Sequence, residues 1–316
     1  MENKRFANLL YDETFKIVIG APGNEPLIIK LIEMLIPGKK IIELTNLDKE
    51  NHGLVFSDKN TTFDLMCKSD AGERFIVEMQ FKGHKTFKER MLVYSTYPVR
   101  MQMDKRLRAL EGSLDVKDRM DYSLHPIYII SLLNFSLKHE SEDVLEDGLV
   151  SRYDIRSPKN GELMTEALHF VFLELDRLEI GEGDWERCET EIERLAYSLR
   201  YMHMLGKRPE GFKDEFQRML YKAGELAGMT QEQRKLYDKA MTNKLDLYIQ
   251  QQEAREEGHA EGRAAGLAEG RELGREIGRA EGRAEGRAEG VSAERERIAD
   301  RLRELGVSEE IITKAI

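Results

Sequence analysis

The segment from Thr62 to Lys82, TFDLMCKSDAGERFIVEMQFK, constrains the fold most tightly, because its residues alternate with a period of two on both sides of a glycine-containing turn. From Thr62 to Lys68, residues Phe63, Leu65 and Cys67 share one face, and Thr62, Asp64, Met66 and Lys68 share the other. From Arg74 to Lys82, residues Phe75, Val77, Met79 and Phe81 form an apolar face opposite Arg74, Ile76, Glu78, Gln80 and Lys82. Ser69-Asp70-Ala71-Gly72-Glu73 lies between the two runs, so the segment predicts an antiparallel hairpin. A turn centred on Ala71 sets Asp64 directly across from Glu78, with Cβ atoms about 5 Å apart. A slip of one residue would pair Asp64 with Met79 and send the two carboxylates to opposite faces.

Two carboxylates at that separation repel each other and raise one pKa unless a cation lies between them. Asp64 and Glu78 are therefore a candidate pair for a divalent metal. The alternative is an ordinary solvated hairpin face. The tight alternation of Phe75, Val77, Met79 and Phe81 marks a central strand, where an acid, an amide and a lysine in succession call for a use.

Around the hairpin the chain reads as helix, strand, hairpin, helix, strand, an α/β order. Phe6 to Gly20 and Asn24 to Leu35 read as helices, the second with Leu27, Ile28, Leu31 and Leu35 on one face and Pro37-Gly38 as its stop. Lys39 to Leu47 reads as a strand. Thr86 to Glu111 reads as a long amphipathic helix that Pro98 should kink or break. Ile127 to Phe135, IYIISLLNF, is an apolar run suited to a strand buried on both faces, and Leu168 to Leu178 reads as a further strand. Trp185 to Leu205, Phe212 to Ala227 and Gln231 to Glu256 read as helices, with Trp185, Tyr197 and Tyr201 packing inside them.

Glycine then recurs at 258, 262, 266, 270, 274, 278, 282, 286 and 290, with Glu, Arg and Ala filling most gaps. On a helix a period of four advances about 40° per repeat, and each glycine costs about 1 kcal/mol relative to alanine. A frayed, solvated spacer is the expectation for this tail. Glycine would also let a second helix approach closely, so self-association through the helical region or the tail stays open. Ser292 to Leu305 and Ser308 to Ile316 read as a small helical hairpin broken at Gly306.

Composition narrows the class. With 316 residues the chain can bury a substantial core. Only Cys67 and Cys188 are present, which argues against a disulfide framework and for a reducing compartment. No apolar run approaches the roughly 18 residues of a membrane span, and MENKRFANLLYDE lacks the apolar core of a signal peptide, so a cytoplasmic location is expected. The histidines are scattered without zinc spacing, and no Walker or Rossmann glycine motif precedes a helix. The net charge of -10 argues against a general nucleic-acid binder. Locally, however, Lys82, Lys85, Lys88, Arg90, Arg100, Lys105, Arg106 and Arg108 stand against only Glu89 and Asp104. This run directly follows the proposed metal strand and reads either as a DNA backbone track or as a solvated helix surface.

Asp64, the hairpin and Glu78-Met79-Gln80 resemble the metal-binding core of the PD-(D/E)XK nuclease superfamily, in the variant with Gln in place of the motif lysine. Asp12-Glu13-Thr14-Phe15-Lys16, Val77-Glu78-Met79-Gln80, Phe87-Lys88-Glu89-Arg90, Tyr94, Tyr97 and the Gly-Glu tail together resemble the Rpn family of recombination-promoting nucleases, also described as transposases. The resemblance implies a restriction-endonuclease-like core, a mixed sheet flanked by helices, followed by a helical region and the glycine-repeat tail. It implies a Mg²⁺- or Mn²⁺-dependent DNA endonuclease. Asp64, Glu78 and the Met79 carbonyl would hold the metal, with Asp12 completing the shell unless it is only a helix N-cap. Gln80 would orient the attacking water. Lys82 is a candidate substitute for the lysine missing at position 80, Lys82 or Arg90 would neutralise phosphate at the site, and Lys82, Lys85, Lys88, Arg90 and Tyr94 would hold DNA phosphate.

The domain organisation expected is a nuclease-like domain at 1–180, a helical region at 181–256, the repeat tail at 257–290 and a helical hairpin at 291–316. The missing lysine leaves a second class open, a catalytically inactive binding or assembly protein that keeps the nuclease fold.

Overall fold

A computed structural model describes residues 5–46, 64–111 and 122–316. The expected strand positions Thr62, Phe63 and Leu47 lie outside the described residues. The chain divides into two units, Met1–Thr242 and Asn243–Ile316.

The first unit is built on one mixed sheet. Its strands are β1 (Leu44–Asn46), β2 (Leu65–Ser69), β3 (Arg74–Gln80), β4 (Ile127–Leu133), β5 (Leu145–Glu146), β6 (Val150–Asp154) and β7 (Leu168–Glu174). Among the described residues the order is β1-β2-β3-β4-β7-β6-β5. β3, β4 and β7 run parallel at the centre, and the flanking pairs are antiparallel. β4 is buried along its whole length, as its branched apolar run requires.

Helices cover both faces. Against one face pack α1 (Asp12–Ile19), α2 (Glu25–Leu35), α4 (Glu191–Tyr201) and α5 (Glu215–Ala223), in a core that includes Phe15, Leu31, Leu65, Val77, Ile130, Leu195 and Tyr197. Against the other lies α3 (Phe87–Glu111), whose Phe87 and Met91 join Met66, Ile76, Ile129, Leu133 and Phe172. The hairpin face expected to be polar is thus a second buried face. Tyr197 packs against Tyr201 and Phe212, and Trp185 meets Phe212 edge-on, so these aromatics are packing residues.

Several elements differ from the sequence reading. The first helix begins at Asp12 rather than Phe6, because Phe6 bridges to Glu225 in extended conformation. The first strand begins at Leu44 rather than Lys39, and the expected last strand ends at Glu174 in a short 3-10 turn. α3 continues through Pro98. Both sides of the proline are held: Tyr94, Tyr97, Val99 and Met101 pack on the second core, and the Gln102 amide exchanges two hydrogen bonds with the His125 backbone, at 2.8 and 3.0 Å. The β5–β6 hairpin was not anticipated.

α6 runs from Gln231 to Glu304, so the repeat tail is helical and, as expected of a solvated spacer, exposed along its length. Ala, Glu and Arg, all strong helix formers, fill the spaces between its glycines. In the second unit Gly306, at φ 79°, ends this helix, and Ile312 of α7 (Glu309–Ala315) and Ala299 are buried there. Among the described residues no helix is long and apolar enough to cross a membrane.

Candidate active site and metal centre

The hairpin pairs Leu65 with Val77, Met66 with Ile76, Cys67 with Phe75 and Lys68 with Arg74. Continued by one residue, this register sets Asp64 opposite Glu78, as the turn centred on Ala71 requires. Gly72 makes that turn possible: its φ is 86°, and a Cβ there would lie 2.8 Å from the His125 ring.

On β3, Ile76, Glu78 and Gln80 point to the α3 side, because the side-chain period is two and Ile76 belongs to that core. Glu78 and Gln80 therefore sit near the carboxyl ends of the parallel strands, opposite Ser131 and Leu133 of β4. Ligand sites of open α/β sheets gather at such ends. α1 reaches the same place: the Tyr11 ring packs on Phe81 just past β3, with centroids 4.6 Å apart.

Glu78, Gln80, Arg90 and Tyr94 form a connected row, with Asp64 beside it. Asp64 Oδ2 accepts the Met79 backbone N–H at 2.7 Å. Glu78 Oε2 accepts from Gln80 Nε2 at 3.0 Å. Gln80 Oε1 accepts from Arg90 Nη2, and the Arg90 guanidinium lies 5.5 Å from the Tyr94 ring centroid. Glu78 is only 2% exposed. Burial first, then the charges of Asp64 and Asp12, push its carboxyl up to about 8, against the pull of Arg90 and the Gln80 amide. Burial, Glu78 and Asp64 likewise raise the Tyr94 hydroxyl, which places that ring beside both acids.

The donor set suits a hard divalent cation: Glu78 feels the carboxylates of both Asp64 and Asp12, and burial together with those charges forces it towards its neutral form. Among the described residues, no three His, Cys, Asp or Glu side chains already surround one point. Asp64 is turned onto a backbone N–H and Glu78 onto Gln80, and coordination requires these side chains to turn inward. The fit is thus one of chemistry and proximity.

The remaining expected residues divide by position. Asp12 is the first residue of α1, and the N-cap position belongs to Tyr11, so Asp12 is not the helix cap. Lys82 lies exposed in a bend two residues past the end of β3, where the strand's alternation no longer fixes its direction. Lys85 and Lys88 are exposed, Lys88 with its Nζ 5.4 Å from the Tyr153 ring centroid. Arg90 is half-buried and touches Gln80. That contact was missed in the sequence, although the spacing of Phe87, Arg90, Met91 and Tyr94 on one helical stripe carries the signal. A cavity of about 380 Å³ lined by Ile17, Pro22, Leu27, Met219 and Met229 shares no residue with this row.

The chain was compared with known proteins. No curated protein and no solved structure matches it. A family model described as PD-(D/E)XK nuclease family transposase matches residues 9–254, a span that holds the whole mixed sheet and all the site residues above. By that match, the chain belongs to the PD-(D/E)XK nuclease family transposases.

Proposed function

We propose that the chain is a divalent-metal-dependent DNA endonuclease that hydrolyses phosphodiester bonds. The observation that carries this reading is the register that brings Asp64 opposite Glu78, a carboxyl buried within electrostatic reach of Asp64 and Asp12. Asp64 and Glu78 would hold Mg²⁺ or Mn²⁺, with Asp12 and the Met79 carbonyl supplying further oxygens. When bound, the ion supplies Lewis-acid chemistry, drawing charge from phosphate and making water a stronger acid. Gln80, anchored to Glu78, positions the attacking water. Lys82, Lys85, Lys88, Arg90 and Tyr94 hold the DNA backbone along the approach to α3.

Plasmid nicking tests the proposal. The wild-type protein is expected to convert supercoiled DNA to nicked circles with Mg²⁺ or Mn²⁺ and to stop in EDTA. Glu78→Ala should lose about 10²-fold or more of the rate, while circular dichroism shows an intact fold. Wild-type protein that leaves DNA untouched across metals and salt would refute the activity and favour an assembly role for the nuclease fold.

A further inference from the structure

The row of site residues presents a charge problem that β3 does not solve. Asp12, Asp64 and Glu78 are all acids, and Gln80 is neutral. A phosphoryl transition state gathers negative charge on its oxygens, and fixed cations at that position are a large part of how such sites work. Among the candidates, Lys82 is exposed beyond the end of the strand and Lys85 and Lys88 lie farther along the exposed surface. Arg90 is a cation that the structure places in contact with Gln80, and through its amide with Glu78.

Its placement has three features of a built position. First, α3 carries Arg90 on the stripe of Phe87 and Met91, both buried against the sheet, so the helix is fixed beneath it. Second, the Gln80 amide is oriented at both ends: Nε2 donates to Glu78 and Oε1 accepts from Arg90. Reversing that amide would set its NH₂ against the guanidinium and its carbonyl against the carboxylate, so the arrangement admits one orientation. Third, Arg90 Nε is buried and meets no hydrogen-bond acceptor among the described residues. Such a donor costs about 1–3 kcal/mol unless some ligand meets it, and an oxygen-rich anion is the ligand a guanidinium fits.

We propose that Arg90 is the cation at the scissile phosphate, supplying from α3 the charge that a lysine at position 80 would have supplied, with Gln80 as its positioning residue. Arg90 thereby leaves the outer basic track and acts on the reacting phosphate. The inference rests on the endonuclease reading above and assigns one role within it.

The test uses the full chain and single-turnover plasmid cleavage at saturating Mn²⁺ and DNA, beside Mn²⁺ binding, DNA binding and melting temperature. Arg90→Ala is expected to lower the rate by about 10²–10³-fold while Mn²⁺ affinity and DNA affinity each change by less than about tenfold, a smaller loss than the rate suffers. Arg90→Lys should keep part of the rate. The double variant Gln80→Lys with Arg90→Ala should be at least about tenfold faster than Arg90→Ala alone, one factor of ten in rate. A merely structural arginine would not allow such relocation. If Arg90→Ala does not fold, Arg90→Gln, which removes the charge but keeps a long hydrogen-bonding side chain, carries the test: a rate below that of Arg90→Lys supports the assignment, and a wild-type rate overturns it. Arg90→Ala at the wild-type rate, or a double variant no faster than its parent, overturns the assignment while Glu78→Ala still reports the activity. Wild-type protein inactive with every metal removes both readings, and an active wild type with a larger loss in Lys82→Ala than in Arg90→Ala gives the role to Lys82.

Discussion

Glu78 is an acid that folding places in the wrong medium, and its titration records the misfit. Its folded pKa of about 8 lies above the ordinary carboxyl value, so between these limits the folded protein holds a proton that the unfolded chain releases. Its effect on stability therefore runs opposite to that of a salt-bridged acid. It is most favourable below the ordinary carboxyl range, declines as pH rises, and levels off above about 8. Glu78→Gln should remove that slope, leaving the metal-free variant more stable than wild type at high pH by about 1–3 kcal/mol, measured by urea unfolding across pH. A wild-type protein equally stable at pH 6 and pH 9 would contradict the burial. The pairing with Asp64 was legible in the sequence, because register follows from turn and alternation. The contact between Gln80 and Arg90 was not, because it depends on how a helix lies over a strand, which neither period alone encodes.

At the scale of elements, legibility followed the strength of the local signal. β4 declared itself through IYIISLLNF, and the β2–β3 hairpin through two alternating runs around Gly72. The β5–β6 hairpin went unread although Asp147 and Gly148 both take positive φ, at 51° and 67°, the torsions that an Asp-Gly turn favours. Its first strand has only two residues, too few to show alternation. Pro98 was expected to kink or break α3, and packing on both sides keeps the helix unbroken there. Gly72 is the element-scale test of the site. Gly72→Ala combines a positive φ with a clash on His125 and should cost about 1–3 kcal/mol. Cleavage should fall with it, because strain at the turn is relieved by loosening the register that aligns Asp64 with Glu78. Unchanged stability and activity would show that this turn does not set the register.

The whole molecule joins two units of unlike cohesion. Met1–Thr242 holds the two cores on either face of the sheet, whereas Asn243–Ile316 is mostly exposed helix whose glycines at 258 to 290 have nothing near enough to meet a Cβ. Stability should be divided accordingly. Circular dichroism at 222 nm is expected to show a broad, early loss of helix from the second unit and a separate cooperative transition of the first. Replacing the nine repeat glycines by alanine should raise only the early component, by roughly 1 kcal/mol per site. A single sharp transition for the full chain would mean that the units melt as one. The spacer expectation weighed the cost of nine glycines above the propensity of the Ala, Glu and Arg between them, and the helix shows that those residues carry it.

The central claim is that two acids from neighbouring antiparallel strands share one divalent ion. Electron paramagnetic resonance of Mn²⁺ titrated into the wild-type chain and into Asp64→Ala tests it most directly. One bound ion per chain in the wild type, lost in the folded variant, is the expected result. Equal binding by both proteins, or none by the wild type, would contradict it.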